Sequence, residues 1–279
     1  MGNAKGDANA GTGACTRAAP GADPGTLLNV EKQGAVLIVG LNRPAKRNAL
    51  NDGVILAIGD CFADLPDEIG AVVIHGMGDH FSSGLDLSEL TDHDATGGLI
   101  HSQMWHRVFD RIQYSRVPVI AALKGAVIGG GLELACAAHI RVAEPSAYFA
   151  LPEGQRGIFV GGGGSVRLPR LIGVSRMTDM MLTGRVYSAT EGSSYGFAQY
   201  LTEAAGALPK AMELAERIAG NAPLTNFAVL QALPMIAEAN PQTGLLMESL
   251  MATVAQSDKE AKRRIRAFLD RKTAKVKPA

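Results

Sequence analysis

The hydrophobic pattern of the chain begins only after a polar segment. Residues 1–26 carry almost no large apolar side chain, so they cannot bury a core, and we expect them to form a mobile tail. Beyond them, short apolar runs alternate with amphipathic stretches, which is typical of strands separated by helices. The predicted strands are 28–30, 35–41, 71–75, 118–123 and 140–142, and the predicted helices between them are 51–65, 100–114 and 131–138. These elements predict an α/β core that starts with a hairpin.

After Pro209 the pattern becomes wholly helical. The predicted helices in this part are 211–219, 224–238, 245–254 and 258–270. A change from mixed to helical patterning indicates a second module. The sequence therefore predicts a tail of residues 1–26, an α/β core of residues 27–208 and a helical module of residues 209–279.

Composition narrows the class of protein without identifying it. The 279 residues are 47% hydrophobic and 19% charged, which fits a well-buried globular protein. Lys and Arg together number 27, as do Asp and Glu, so a net-basic surface for nucleic acid is not expected. The three cysteines have neither metal-ligand spacing nor an even framework, so we expect reduced thiols in a cytoplasmic protein without a metal. No apolar run reaches 18 residues, so we expect no membrane-spanning segment.

Three consecutive glycines, Gly129, Gly130 and Gly131, follow an apolar run and precede a short helical pattern that contains Glu133. A glycine turn between a strand and a helix leaves backbone N–H groups unpaired at the positive end of the helix dipole. Such a place can hold a phosphate or a developing oxyanion. The Lys-Ser/Thr pair and the Gly-x-Gly-x-x-Gly spacing of phosphate-binding loops are both lacking, and a glutamate would repel a phosphate. The glycines therefore indicate an oxyanion site with a proton carrier, or else only a tight packing contact.

A second stretch, residues 81–87, also follows a predicted strand and contains a glycine. Asp86 and Glu89 have the spacing of a helix N-cap pair, which places the N–H of Leu85 beside another helix start. An oxyanion hole needs two donors. Two separate strand ends are therefore expected to supply one donor each.

With these motifs in order, the chain resembles the enoyl-CoA hydratase/isomerase (crotonase) family from about Leu28 to its C terminus. The matching blocks are 41–50, 81–87, 116–122, 129–133, 151–153, 167–173 and 182–185. The resemblance implies an α/β fold built as a spiral of strand–strand–helix turns. It also implies that the C-terminal helices pack in a homotrimer, often with two trimers stacked as a homohexamer.

The resemblance implies that Glu133 and Glu153 are the acid/base pair of a 2-enoyl-CoA hydratase. The thioester carbonyl would bind the N–H groups of Leu85 and Gly130, and Gly161 would help to position the water that is added. Two nearby carboxyls resist carrying two negative charges, so we expect one of them to be protonated near neutral pH. Without the resemblance, Glu133 could be a favourable charge in a first helical turn and Glu153 a surface loop residue.

The coenzyme A substrate would be bound by basic residues and by the 81–87 block. The resemblance places Lys46 and Arg47 along the CoA phosphates, and it makes Ser83 and Leu85 further CoA-binding residues. It places Arg271 at the nucleotide, although this residue could equally belong to an ordinary solvated basic tail. An acyl-CoA thioester is the expected substrate, with no further cofactor and no nucleic-acid or membrane partner.

Several positions depart from the family pattern. Val160 replaces the usual proline before Gly161, and the glycine run 161–164 is unbroken. The resemblance implies that this loop shapes the acyl pocket, so its altered stiffness leaves the acyl group of the substrate open. His139 replaces a usual aspartate, and we expect a core or capping histidine there. The resemblance places the helix of Trp105 at the border of the acyl site. Trp105 could line a pocket for a bulky or aromatic acyl group, but we expect a buried packing role.

Other reactions remain open on the same scaffold. They are double-bond isomerisation, and hydration of an aryl-propenoyl-CoA followed by retro-aldol cleavage. A noncatalytic RNA-binding relative is a different class, which the zero net charge and the two glutamates disfavour.

Overall fold

The computed structural model describes residues 26–90 and 94–270, so the predicted tail and Arg271 lie outside the described residues. The strands are β1 (Leu28–Gln33), β2 (Val36–Leu41), β3 (Ala71–Gly76), β4 (Val119–Leu123), β5 (Ala126–Ile128), β6 (Ile140–Ala143), β7 (Tyr148–Ala150), β8 (Tyr187–Ser188) and β9 (Tyr200–Leu201). The helices are α1 (Asp52–Ala63), α2 (Ala95–Gln113), α3 (Gly130–Ala137), α4 (Gly164–Ile172), α5 (Val174–Thr183), α6 (Ala189–Tyr195), α7 (Ala207–Ala219), α8 (Pro223–Phe227), α9 (Leu233–Glu238), α10 (Pro241–Ser257) and α11 (Lys259–Leu269). Three single-turn 3-10 helices are Pro44–Lys46, Leu87–Leu90 and Gly154–Arg156.

Two sheets carry the architecture. The larger has the order β1-β2-β3-β4-β6-β9, and the smaller has the order β5-β7-β8. The β1–β2 hairpin is antiparallel, while β2, β3, β4, β6 and β9 pair in parallel. Every residue of β3 is buried, because helices cover both faces of this parallel part of the sheet.

Alternate side chains of the large sheet feed two separate cores. Val72 points into the main core with α1 and α2, whereas Val73 belongs to a smaller core beneath α7. The small residues Ala211 and Ala215 let α7 approach the sheet closely. The first helix of the predicted helical module therefore packs on the sheet, and the division at residues 208 and 209 stays a prediction.

The five predicted strands correspond to β1, β2, β3, β4 and β6, and the three predicted core helices correspond to α1, α2 and α3. The predicted helix 224–238 contains a π-helical segment, Ala228–Ala232, between α8 and α9. Pro234 follows this segment and has no N–H for a regular helical hydrogen bond, which explains the local widening. The sequence pattern did not predict β5, β7, β8 or β9, since these strands have only two or three residues each.

Candidate active site

Glu133 is buried in the first turn of α3, directly after the glycine turn. The turn forms because Gly129 adopts a φ of 52° between β5 and α3. Glu133 is only 4% exposed, and its Oε1 accepts hydrogen bonds of 2.8 Å from the N–H groups of Gly162 and Gly164. Burial raises the pKa of Glu133, while those N–H groups and the charge of Arg167 oppose the rise. The backbone of the unbroken glycine run therefore holds this carboxyl in place by hydrogen bonds.

Glu153 is the second buried carboxyl of the site. It follows β7 and is only 6% exposed, so the interpretation as a surface loop residue is wrong. Its Oε2 has no hydrogen-bond partner within the described part of the chain, and a Cβ added at Gly129 would lie 2.7 Å from its Oε1. Burial, and then the charge of Glu133, raises the pKa of Glu153 to about 7. The structure therefore brings the two predicted carboxyls together beside the glycine turn.

The backbone N–H groups of Leu85 and Gly130 converge next to these carboxyls. A Cβ added at Gly130 would lie 3.3 Å from the nitrogen of Leu85, and one added at Gly84 would lie 3.1 Å from the nitrogen of Gly130. Among the described residues, neither N–H has a hydrogen-bond acceptor. Leu50 holds the 84–86 segment in place, since its N–H donates to Gly84 and its carbonyl accepts from Asp86. Two such donors can polarise a carbonyl oxygen that is placed between them.

The predicted CoA-binding residues Lys46, Arg47 and Ser83 lie side by side. The N–H of Ser83 donates to the carbonyl of Arg47 over 2.9 Å, so the two sequence blocks are joined two residues before Leu85. Lys46 and Arg47 are exposed at the end of the 3-10 helix Pro44–Lys46. Arg47 and Lys46, the latter also paired with Asp86 over 3.2 Å, therefore place positive charge at the surface near the converging N–H groups.

Asp86 links the 84–86 segment to the basic residues before it. Its carboxylate binds Ser88, Arg43 and Lys46 over 2.8, 3.0 and 3.2 Å, and these contacts, led by the Ser88 hydrogen bond, lower its pKa to about 2. The segment continues as the short 3-10 helix Leu87–Leu90. The side chain of Glu89 lies outside the described residues, so the predicted N-cap pair stays a prediction.

Trp105 is a residue whose place at the site the sequence did not reveal. It is 3% exposed and packs edge-to-face on Phe109, which confirms the expected buried position. Its indole ring, however, lies directly against two glycines of the site. A Cβ added at Gly130 would lie 2.8 Å from Cζ3 of the ring, and a Cβ added at Gly162 would lie 3.1 Å from Cε3. The indole thus contacts both the donor turn and the loop that supports Glu133. The resemblance places only its helix at the border of the acyl site, and the sequence does not reveal the contact, because it joins residues distant in sequence.

Gly161 and His139 also have defined surroundings. Ser102 Oγ donates to the Gly161 carbonyl over 2.7 Å, and the Gly161 N–H contributes to lowering the pKa of Glu133. His139 accepts from the Val119 N–H and contacts the Gln113 carbonyl, each at 3.0 Å, and burial lowers its pKa to about 4. His139 is therefore a half-buried histidine that is hydrogen-bonded between β4 and α2, and neither of its contacts is with the site.

A cavity of about 1010 Å³ lies behind α3, between α2, α4 and the helices α8 and α9. Arg167 and Gly163 line it, but neither carboxyl does, so it is distinct from the site above. Within residues 26–90 and 94–270, no group of three metal-ligating side chains occurs, and no helix is both long and apolar enough to cross a membrane.

Two backbone donors beside a buried carboxyl pair, on two linked sheets wrapped by helices, define a class of site for acid/base chemistry at a polarised carbonyl. Residues 31–278 match the enoyl-CoA hydratase/isomerase family. The chain is 34% identical over 254 residues to 2,3-dehydroadipyl-CoA hydratase of Escherichia coli K12, covering 90% of this chain and 98% of that protein. It is 31% identical to the short-chain-enoyl-CoA hydratase of Clostridium acetobutylicum, over 87% of this chain and 94% of the relative.

Solved structures agree with these sequence relatives. A crystal structure from Rhodopseudomonas palustris CGA009, provisionally named an enoyl-CoA hydratase, is 78% identical with a TM-score of 0.87, covering 93% of this chain and all of that one. The enoyl-CoA hydratase of Bacillus anthracis is 29% identical with a TM-score of 0.83, over 88% of this chain and 97% of that one. The chain therefore belongs to the enoyl-CoA hydratase/isomerase family, and its α/β architecture is the crotonase fold.

Proposed function

We propose that this protein is an enoyl-CoA hydratase that adds water across the 2,3 double bond of a 2-enoyl-CoA thioester. The observation that carries the proposal is the buried pair Glu133 and Glu153 beside the unpaired N–H groups of Leu85 and Gly130. The names of the relatives, which are hydratases of CoA thioesters, support the same reaction.

The two carboxyls have different surroundings, which suggests different roles. Glu133 accepts two N–H bonds that favour its charged form, so it is the base that takes a proton from water. The hydroxide adds to the β-carbon while the N–H groups of Leu85 and Gly130 stabilise the oxyanion of the resulting enolate. Glu153, whose pKa is raised to about 7, is the acid that delivers its proton to the α-carbon. Gly161 helps to position the water.

The CoA moiety is bound by Lys46, Arg47, Ser83 and the Leu85 segment, with Arg271 at the nucleotide. The exposed charges of Lys46 and Arg47, close to the converging donors, support this direction of approach. Acid/base addition needs no cofactor beyond the thioester itself. A cytoplasmic location is part of the proposal and is supported by Cys61 and Cys136, which are buried and not joined in a disulfide.

The decisive experiment is a turnover screen against crotonyl-, longer enoyl- and cinnamoyl-type CoA thioesters, with products identified by mass. We expect a 3-hydroxyacyl-CoA, one water heavier than the substrate. Glu133→Gln and Glu153→Gln are each expected to lower the rate by about 10² to 10⁴ with CoA binding retained. Glu144→Gln is the matched control, because this glutamate only accepts a hydrogen bond from Ser146.

Each alternative result of the turnover screen would contradict a different part of the proposal. Near wild-type turnover of both site variants would refute the carboxyl mechanism. A product of unchanged mass with a migrated double bond would instead make the protein an isomerase. An aldehyde released from the cinnamoyl-type substrate would favour the hydratase/lyase.

A further inference from the structure

Arg167 lies behind the loop that supports Glu133, and all three of its donor groups are engaged. It projects from the first turn of α4 and its side chain is only 8% exposed. Its Nη1 donates to the Gly162 carbonyl over 2.9 Å, its Nη2 to Asp110 Oδ1 over 2.6 Å, and its Nε to Gln113 Oε1 over 2.5 Å. The guanidinium thus joins the glycine loop to α2.

The glycine loop is shaped around this guanidinium. Gly163 has a φ of 92°, and a Cβ added there would lie 2.3 Å from Arg167 Nη1. Only a glycine permits both that backbone conformation and that close approach. A flexible run of four glycines is therefore held in one conformation by a buried cation.

Gly162 uses both of its backbone groups in this arrangement. Its carbonyl accepts from Arg167, and its N–H donates to Glu133 Oε1. Arg167, the loop and Glu133 are therefore three consecutive members of one hydrogen-bonded chain that begins at Asp110. Hydrogen-bonded networks of this kind hold their members rigidly.

We propose that Arg167 is a positioning residue, which orients the two N–H donors onto Glu133 and places a positive charge behind that carboxyl. The proposal rests on the proposed function, in which ionised Glu133 accepts a proton from water. The positive charge of Arg167 already lowers the pKa of Glu133 against the effect of burial. Asp110 offsets part of that charge from the opposite side.

Other ionisable groups surround this chain. Glu153 faces Glu133 from the loop after β7, and a Cβ at Gly163 would lie 3.7 Å from the ring of His106 on α2. Cys136 lies one turn further along α3, and burial raises its pKa to about 11, so it stays neutral over the useful pH range. The acidic limb of the pH–rate profile will therefore report the Glu133–Glu153 pair as a unit, with Arg167 and Asp110 as its charged neighbours.

The test is the pH dependence of kcat with crotonyl-CoA for a set of charge variants. In Arg167→Gln, we expect kcat at pH 7 to fall by about 10- to 100-fold. The acidic limb should move upward by about one pH unit, because a cation near the carboxyl is lost. KM should stay within about twofold of the wild-type value, since Arg167 does not contact the proposed CoA-binding residues Lys46, Arg47 and Ser83. Asp110→Asn should shift the limb in the opposite direction, and less strongly, because this side chain is 52% exposed.

Two further variants separate charge from geometry. Arg167→Lys keeps the charge but loses the planar fork, so it should keep the position of the limb with a lower kcat. Arg170→Gln is the matched control, since Arg170 lies one turn further along α4, is 55% exposed and pairs with Glu238. It should leave both kcat and the limb unchanged.

A merely structural role would lower kcat without moving the limb, and that result would overturn the proposal. So would movement of the limb in the same direction for Arg167→Gln and Asp110→Asn. Should Arg167→Gln fail to fold, the direction of the Asp110→Asn shift and the unshifted limb of Arg167→Lys decide the matter. If the wild-type protein hydrates no thioester, both the proposed function and this inference are refuted. If the wild type is active but the charge variants do not shift the acidic limb, only the inference is refuted.

Discussion

Glu153 illustrates how single residues at this site are held in unfavourable surroundings. Its Oε2 is buried without a hydrogen-bond partner among the described residues, and such an unpaired oxygen costs stability. Glu133, by contrast, has two N–H donors on one oxygen. Because environment separates the two carboxyls, one can serve as an acid while the other serves as a base.

The raised pKa of Glu153 predicts a pH-dependent stability. The folded protein holds this proton up to about pH 7, whereas an unfolded chain releases it near the ordinary value of 4.5, so Glu153 lowers the free energy of unfolding as pH rises through that window. Glu153→Gln cannot ionise. Its stability relative to wild type should therefore improve by about 2 to 3 kcal/mol between pH 5 and pH 8, measured by urea unfolding.

Glu144→Gln serves as the control for this measurement, because its carboxyl is outside the site. An equal difference between Glu153→Gln and wild type at both pH values would mean that Glu153 titrates normally in the folded protein.

At the scale of elements, the strand-to-helix turn at Gly129 positions both the donor of Gly130 and the carboxyl of Glu153. Its positive φ lets α3 start immediately after β5. The absence of a side chain leaves room for the Glu153 carboxyl, which lies against the turn. One glycine therefore satisfies a backbone requirement and a steric one at once.

Gly129→Ala should consequently lower turnover by more than its backbone strain alone would explain. The new Cβ would lie 2.7 Å from Glu153 Oε1 and displace it. Misplacing a reacting group by about 1 Å can cost about 100-fold in rate. Steady-state kinetics and thermal unfolding of the variant would measure the two effects separately.

Gly34→Ala is the matched control for this change. Gly34 has a φ of 60° in the β1–β2 turn, and a Cβ added there meets nothing within 4 Å. It shares the positive φ without the collision, so it should lose stability but keep its activity. Equal kinetic loss in both variants would show that the Gly129 turn acts only through stability.

For the whole molecule, the C-terminal helices leave apolar side chains uncovered. On α10, Leu245, Leu246 and Leu250 are each more than half exposed. On α11, Phe268 and Leu269 are also more than half exposed, although this helix is otherwise strongly charged. Clustered apolar surface of this kind marks interaction sites. We propose that it is covered in a homotrimer or homohexamer.

This proposal predicts a defined assembly that depends on α10. Light scattering after size-exclusion chromatography should give three or six times the chain mass for the wild type. A double variant, Leu246→Glu with Leu250→Glu, should shift the protein to a smaller species, because burying two carboxylates in an interface is costly. Leu250→Met keeps the apolar volume and should keep the assembly. A monomeric wild type would contradict the proposal.

The sequence by itself determined the order of the strands β1 to β4 and β6 and of the helices α1 to α3, the turn at Gly129 and the placement of Glu133 in a first helical turn. These features follow from local causes, namely side-chain periodicity and the backbone freedom of glycine. The sequence did not predict the helices α4 to α6. The sheet order and the two- and three-residue strands did not follow, since pairing joins distant segments and such strands have too few residues for a pattern.

Only the tertiary structure decided the surroundings of the site. The contact of Trp105 with Gly130 and the hydrogen bonds of Arg167 with Asp110 and of Gly162 with Glu133 link residues that lie 25 or more positions apart, and no periodicity encodes them. The burial that raises the pKa of Glu153 likewise exists only once several elements pack around it. Packing, and not local preference, therefore gives the two glutamates the different environments that the proposed acid and base need.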